Sequence, residues 1–306
     1  MANQSHGFDV TVVLGKETTF GTKASAFKWP GIVESFEPSE SNNVDTRRSI
    51  GVRGPYMLRR GAKGIEGSMS VALQNGRLLL AALGNVSTTG AGPYVHAITP
   101  AAAGDVLPSF TIQENDANLN KKTNYVGAKV NSMTLTAAVE EAVMVEIDWL
   151  IKDALPEAGA AAAVVGELDN YFMFYEGTVE INGVAVTNVT QFEVEVANGL
   201  EARRGIAGSR AAQRIEEGAL EITGSLTMDM TDLVQHQAFV DGDEISVTLT
   251  LIDEADADHQ VVVSLTGGLY DTSDAGIAAE DLREHELEVI FKDIAIEVTD
   301  ANANLF

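Results

Sequence analysis

The chain has 306 residues, 45% of them hydrophobic, enough to bury a sizeable core in one large domain or two ordinary ones. Forty-five acids against 20 bases leave a formal charge of −25, so the surface opposes binding to free nucleic acid and to anionic lipid. There is no cysteine, which excludes disulfides, thiolate metal sites and a cysteine nucleophile.

The opening MANQSHGFDV has neither the basic nor the apolar stretch of a secretory signal. No apolar run reaches the roughly 18 residues of a membrane span. Residues 1–25 read as an N-terminal arm. In residues 26–154, a first module, Met69, Val71 and Leu73 alternate with Ser68 and Ser70, which predicts a strand. Arg77 to Leu83 (RLLLAAL) predicts a short helix. Val143, Val145, Ile147, Trp149 and Ile151 share one face of an extended segment, with Glu146, Asp148 and Lys152 on the other: a half-buried strand.

Leu155 to Gly166 (LPEAGAAAAVVG) is rich in Pro, Gly and Ala, lacks alternation, and reads as a linker. Residues 167–306 form a second module. Asn182-Gly183 between two alternating runs is a type I′ hairpin signal. Phe192, Val194 and Val196 alternate with Gln191, Glu193 and Glu195, and Leu226, Met228 and Met230 with Ser225, Thr227 and Asp229. Asp232 to Val240 predicts a helix that Thr231 or Asp232 can cap. Asp253 to His259 (DEADADH) reads as a solvated hairpin loop. A third helix is expected over Ile277 to Glu284, and Leu287, Val289 and Phe291 mark a last strand. The class is mainly β, in sandwiches or barrels, with a short helix flanking each module.

The halves repeat each other. Moved back 156 residues, Asn198, Arg203, Arg204 and Ile206 fall on Asn42, Arg47, Arg48 and Ile50. One residue out of step, ITGSLTMDM (Ile222 to Met230) meets IEGSMSVAL (Ile65 to Leu73). Each copy then runs into its short helix, and LIKD (Leu150 to Asp153) meets IFKD (Ile290 to Asp293). Three windows in one order point to a tandem duplication.

Arginine placement is the sharpest local feature. Of eleven arginines, nine lie in two matching windows: Arg47, Arg48, Arg53, Arg59 and Arg60, then Arg203, Arg204, Arg210 and Arg214. Arginine binds carboxylates through paired hydrogen bonds and keeps its charge when buried. On so acidic a chain the natural partner is the surface of another copy, and the windows read as assembly loops. Catalytic signals are missing. Gly51 to Gly64 lacks the G-K-[ST] ending of a phosphate loop. The acidic hairpin misplaces the Gly and Glu of a calcium loop, although a weak cation site there stays open. The five histidines have no zinc spacing, and no serine sits in a G-x-S-x-G elbow. No cofactor is expected.

GKETTFGTKA (Gly15 to Ala24) resembles the start of tail tube proteins of long-tailed, non-contractile viruses. So do Asn42-x-x-Asp45-x-Arg47, Gly61-x-Lys63-x-x-Glu66-Gly67-Ser68, the helix with Ala81, Ala82 and Leu83, Tyr125-x-Gly127-x-x-Val130-Asn131-Ser132, and Lys152-Asp153. The resemblance implies sandwich or barrel modules, six to a ring, with inner sheets joined into a lumen wall. It also implies that a long loop, here Glu37 to Gly64 and Glu195 to Gly218, reaches the next ring. Two modules per chain then make a trimeric ring, stacked into a tube in the virion tail after assembly in the host cytoplasm. The partners would be other copies, the tape measure, tail terminator and baseplate, and DNA in passage without specific binding. The acidic, lysine-poor composition points to a virus of halophilic archaea. Capsid-decoration and surface-layer proteins, or a soluble binding module, are the rival classes.

Overall fold

The computed structural model describes residues 4–159, 164, 166–167, 169–206, 208–276 and 283–306. The first half opens with β1 (Val10–Lys16), β2 (Ile32–Ser41), β3 (Asp45–Arg47), β4 (Met57–Arg59), β5 (Gly64–Ala72) and helix α1 (Arg77–Leu83). It continues with β6 (Gly84–Gly90), β7 (Tyr94–Pro100), β8 (Phe110–Asp116), β9 (Lys121–Ala138), β10 (Met144–Ile151) and β11 (Asp153–Ala158). The second half runs β12 (Gly177–Ile181), β13 (Val184–Val186), β14 (Val189–Ala197), β15 (Glu201–Arg203), β16 (Arg214–Glu216) and β17 (Glu221–Asp229). It ends with helix α2 (Val234–Asp241), β18 (Ile245–Ile252), β19 (Gln260–Asp274), β20 (Glu284–Ile290) and β21 (Asp293–Asp300). The protein is mainly β, built on one large antiparallel sheet network with two short α-helices among the described residues.

The alternating segments form strands because one face can be buried. Val145, Ile147 and Trp149 of β10 are buried while Glu146 and Asp148 are exposed. Trp149 packs edge-on against Phe110, and the core continues through Met133, Leu135, Val194, Leu226 and Leu287 without a break between halves. Burial at about 25 cal/mol per Å² is the main stabilising term for such a face.

One run of the network pairs in the order β2–β5–β10–β9–β14–β17–β20–β19. Two further runs are β1–β8–β9–β11 and β13–β12–β18–β19–β21–β7–β6. Strands β9 and β19 each serve two runs, and each bends at a glycine in the left-handed region, Gly127 (φ 66°) and Gly267 (φ 67°). A Cβ on Gly127 would meet Lys152 Cβ at 2.7 Å, and one on Gly267 would meet Lys292 Cδ at 2.8 Å.

The pairings of the first half recur in the second. β1–β8–β9–β11 is matched by β12–β18–β19–β21, β2–β5–β10–β9 by β14–β17–β20–β19, and hairpin β3–β4 by β15–β16. Register shifts fall at matching points: Val33/Ser35 and Val189/Gln191, Phe110/Ile112 and Ile245/Val247. A third matched shift leaves Asn131 of β9 and Asp271 of β19 unpaired opposite β10 and β20. Among the described residues hairpin β6–β7 has no counterpart; it crosses over to pair with β21. The chain end crosses back, with Arg77 Nε donating to the Leu305 carbonyl at 2.7 Å and the Phe306 ring 5.0 Å from that of Phe110.

Three expectations change, and a fourth falls almost wholly outside the described residues. Residues 10–16 of the expected arm are strand β1, paired along their length with β8. The segment read as a linker begins as strand, because Leu155–Ala158 pair with β9. Helix α2 starts at Val234, with Asp232 Oδ1 accepting the Val234 amide at 3.0 Å. The helix expected over 277–284 lies outside the described residues except at its end, where Glu284 opens β20. The Asn182-Gly183 hairpin forms as expected, both residues having positive φ.

If the bends at Gly127 and Gly267 are what allow β9 and β19 to serve two runs, Gly127→Ala and Gly267→Ala each destabilise the chain. The expected cost is about 1–3 kcal/mol each, read from urea unfolding midpoints, whereas Gly51→Ala in the exposed β3–β4 loop costs less than either.

Candidate functional site

Both arginine windows are hairpins standing at the end of the long sheet. In β3–β4, Arg47 is paired locally with Asp45 (2.8 Å), and Arg48, Arg53, Arg59 and Arg60 are exposed. Among the described residues none of those four forms an ion pair. The tip also exposes apolar side chains, with Ile50 fully solvated and Tyr56 and Leu58 mostly so.

In β15–β16 the arginines are partly used within the chain. Arg203 pairs with Glu201 and Glu216, and Arg214 with Glu216. Such exposed pairs contribute less than about 1 kcal/mol each. Arg204 and Arg210 do something different: they hold the second hairpin to the base of the first. Arg204 donates to the Lys63 carbonyl (2.8 Å), Arg210 Nε to the Gly61 carbonyl (2.7 Å), and Arg210 Nη2 to Asn42 Oδ1. The Lys63 amide returns a bond to the Arg210 carbonyl at 3.0 Å. The structure therefore brings the loop of the second hairpin against the base of the first.

The face of the long sheet behind these hairpins carries acids and hydroxyls. Glu37, Ser68, Asp148 and Ser132 are successive neighbours across β2, β5, β10 and β9. Thr136, Glu193, Ser225 and Glu288 continue the pattern across β9, β14, β17 and β20. None of β2, β5, β10, β14, β17 or β20 contains a lysine or arginine, nor do residues 130–138 of β9 or 268–274 of β19. Lys129, which precedes this stretch of β9, is buried under Glu217 and the Ile215 carbonyl.

Four buried polar groups escaped the sequence reading. Glu17 lies within Gly15 to Ala24, and its carboxylate accepts from the Gly21 and Gly127 amides and the Ser109 and Thr111 hydroxyls at 2.7–2.9 Å. It fixes the N-terminal segment to the bend in β9. Arg77, expected only as a helix residue, is buried and pairs with Glu167 and the Trp29 carbonyl. The acidic hairpin is not simply solvated: Asp253 and His259 are buried, 3.2 Å apart, and His259 Nε2 meets the Gln74 carbonyl at 2.9 Å. Their pairing across six residues follows no periodicity, so only the fold shows it. Among the described residues no group of three His, Asp or Glu is arranged to hold a metal ion.

A continuous acid- and hydroxyl-faced sheet with basic hairpins at its margin is the architecture of a structural β protein. Residues 7–290 match the phage tail tube protein family, and the chain belongs to that family. It is thus a structural component of the virion tail. Among solved structures it is similar to a chain of the cryo-EM structure of the anti-feeding prophage baseplate, six-fold symmetrised. That likeness has 12% identity and a TM-score of 0.29, over 39% of this chain and 89% of that one. No curated protein matches the chain. No helix among the described residues is long and apolar enough to cross a membrane.

One titratable group near α2 is open to a direct test. Burial, with His236 and Arg283 adding to it, holds the His285 imidazole below its ordinary value, and Ser273 Oγ lies 2.8 Å from its Nε2. The folded state therefore resists protonation that the unfolded chain accepts near 6.5. The stability this contributes is complete above about pH 6.5 and is lost as pH falls below it. His285→Gln should flatten that part of the stability profile, measured by urea unfolding between about pH 5 and 8; an unchanged slope would assign it to other groups.

Proposed function

We propose that the chain is a tail tube subunit made of two copies of one module. Three chains close a ring of pseudo-sixfold symmetry, and rings stack head to tail into a channel for DNA. The observation that carries this reading is the sheet from β2 to β19, which runs through both halves and presents a face without cations. Turned to the lumen, Glu37, Asp148, Glu193 and Glu288 repel phosphate, so DNA passes without sticking. The recurring strand order and matched register shifts support the duplication.

Arg204 and Arg210, in the loop of the second hairpin, steady the base of the first, and the exposed first hairpin carrying Arg48, Arg53, Arg59 and Arg60 reaches acids of the next ring. At the tube ends the same surfaces meet the tape measure, terminator and baseplate. With a charge of −25 per chain, stacking opposes electrostatic repulsion. In molar salt the screening length falls to about 3 Å from about 10 Å at 0.1 M, which fits a halophilic host. The non-contractile type rests on the sequence resemblance alone.

Electron microscopy of concentrated protein in molar salt tests the reading. Stacked rings with an open channel are expected, and a monomer at every salt and protein concentration would overturn it. Arg48→Glu with Arg53→Glu should leave single rings but abolish stacks; tubes of normal length would remove the hairpin tips from the ring-to-ring contact.

A further inference from the structure

We infer that β2 of one copy docks on β19 of the next, in the register that β14 and β9 already show inside the chain. This rests on the tube reading and adds to it a residue-level seam. Inside the chain, β14 and β9 pair from Gln191↔Ala138 to Ala197↔Ser132. A clasp closes the end of that pairing. The Asn198 amide donates to the Asn131 carbonyl at 2.8 Å, and Asn198 Nδ2 donates to the Val130 and Ala82 carbonyls, both at 3.0 Å. The Leu200 amide donates to Asn131 Oδ1 at 3.0 Å. Asn198 is buried by the result.

Each part of the clasp has a counterpart at the two open margins of the long sheet. Among the described residues β2 pairs only with β5, and residues 269–274 of β19 pair only with β20. Asn42 follows β2 as Asn198 follows β14, and Asp271 sits at the register shift of β19 as Asn131 sits at that of β9. Val240 lies two residues before the helix-ending Gly242 as Ala82 lies two before Gly84. Carrying the internal register across the shared shifts pairs Ser41 with Thr272, Glu40 with Ser273 and Ser39 with Asp274. Asn42 then donates to the Asp271, Tyr270 and Val240 carbonyls, and the Val44 amide to Asp271 Oδ1. Pro38 withdraws one donor from the strand but lies outside these three pairs.

Burial at the same margin gives independent support. Helix α1 is buried along its whole length, whereas α2 has no buried residue. Leu233, Val234 and Val240 are 60–62% exposed, and Leu269 and Val44 are also exposed. Asn42 is exposed, whereas its counterpart Asn198 is buried. The partner that fits is a second copy of this chain, because β2, Asn42 and Val44 of that copy supply the missing side of the clasp.

The absence of native cysteine makes the seam testable by cross-linking. Ser41→Cys with Thr272→Cys places thiols at opposite margins of one chain, so a disulfide between them must join two chains. Oxidised after assembly in molar salt, this variant should give covalent dimers and closed trimers on a non-reducing gel. The register-shifted pair Ser41→Cys with Asp274→Cys should link at least about tenfold less. Ala197→Cys with Ser132→Cys, bridging within the chain, checks that the template register is reactive. Rings in the microscope without preferential Ser41–Thr272 linkage would overturn the register and leave the tube reading standing. Neither rings nor cross-links would sink both. Asn42→Ala should raise the protein concentration needed for ring formation about tenfold, the equivalent of about 1.4 kcal/mol. Asp271→Asn, which restores the internal pair, should form rings like the parent chain. Equal assembly by Asn42→Ala would remove Asn42 from the seam.

Discussion

The molecule depends on the bend in β9. Its first half hydrogen-bonds β8 and β11, and its second half hydrogen-bonds β10 and β14. One strand thus ties the N-terminal sheet to the sheet that spans both halves. Gly127 makes the turn, and the buried Glu17 carboxylate accepts its amide while also holding Gly21, Ser109 and Thr111. A buried carboxylate is tolerable only when its oxygens are saturated with donors, and here four converge on it. The sequence around Glu17 and that around Gly127 are two of the segments that resemble tail tube proteins. Their shared physical reason is this single junction.

What the sequence reveals about the fold is what period-two burial makes visible. Strand β10 reads correctly because Val145, Ile147 and Trp149 face a core that Glu146 and Asp148 do not. Helix α1 matches its expected bounds because seven apolar or long-stemmed residues lie between Gly76 and Gly84. Strand β11 is hidden because Pro156 and Glu157 interrupt the alternation, yet its pairing with β9 needs backbone and little side-chain burial. The second arginine window was legible as composition but not as geometry. That Arg204 and Arg210 bond to carbonyls of the first window depends on the two hairpins standing side by side, which no local pattern encodes. Asp253 and His259 mislead for the opposite reason: a cluster of acids reads as solvated, although two of its polar groups satisfy each other inside.

An exposed strand edge is ordinarily a liability, since its unpaired amides and carbonyls recruit any neighbouring strand. Among the described residues the long sheet keeps two of them, at β2 and at the end of β19. Both are polar and acidic: Glu34, Glu37 and Glu40 on one, Asp271 and Asp274 on the other. In the proposed seam Glu40 and Asp274 each face a neutral residue, yet bringing two acidic margins close still raises the cost of edge pairing at low salt, while the backbone groups favour it. The opposition is electrostatic and screened by ions; the attraction is short-ranged and is not. On the proposed seam, such a chain would stay apart where screening is weak and join where it is strong, with no change in its own fold. These acids belong to the same sheet whose face carries no lysine or arginine, so in the proposed tube one distribution of charge would serve both separation before assembly and a non-adhesive wall after it.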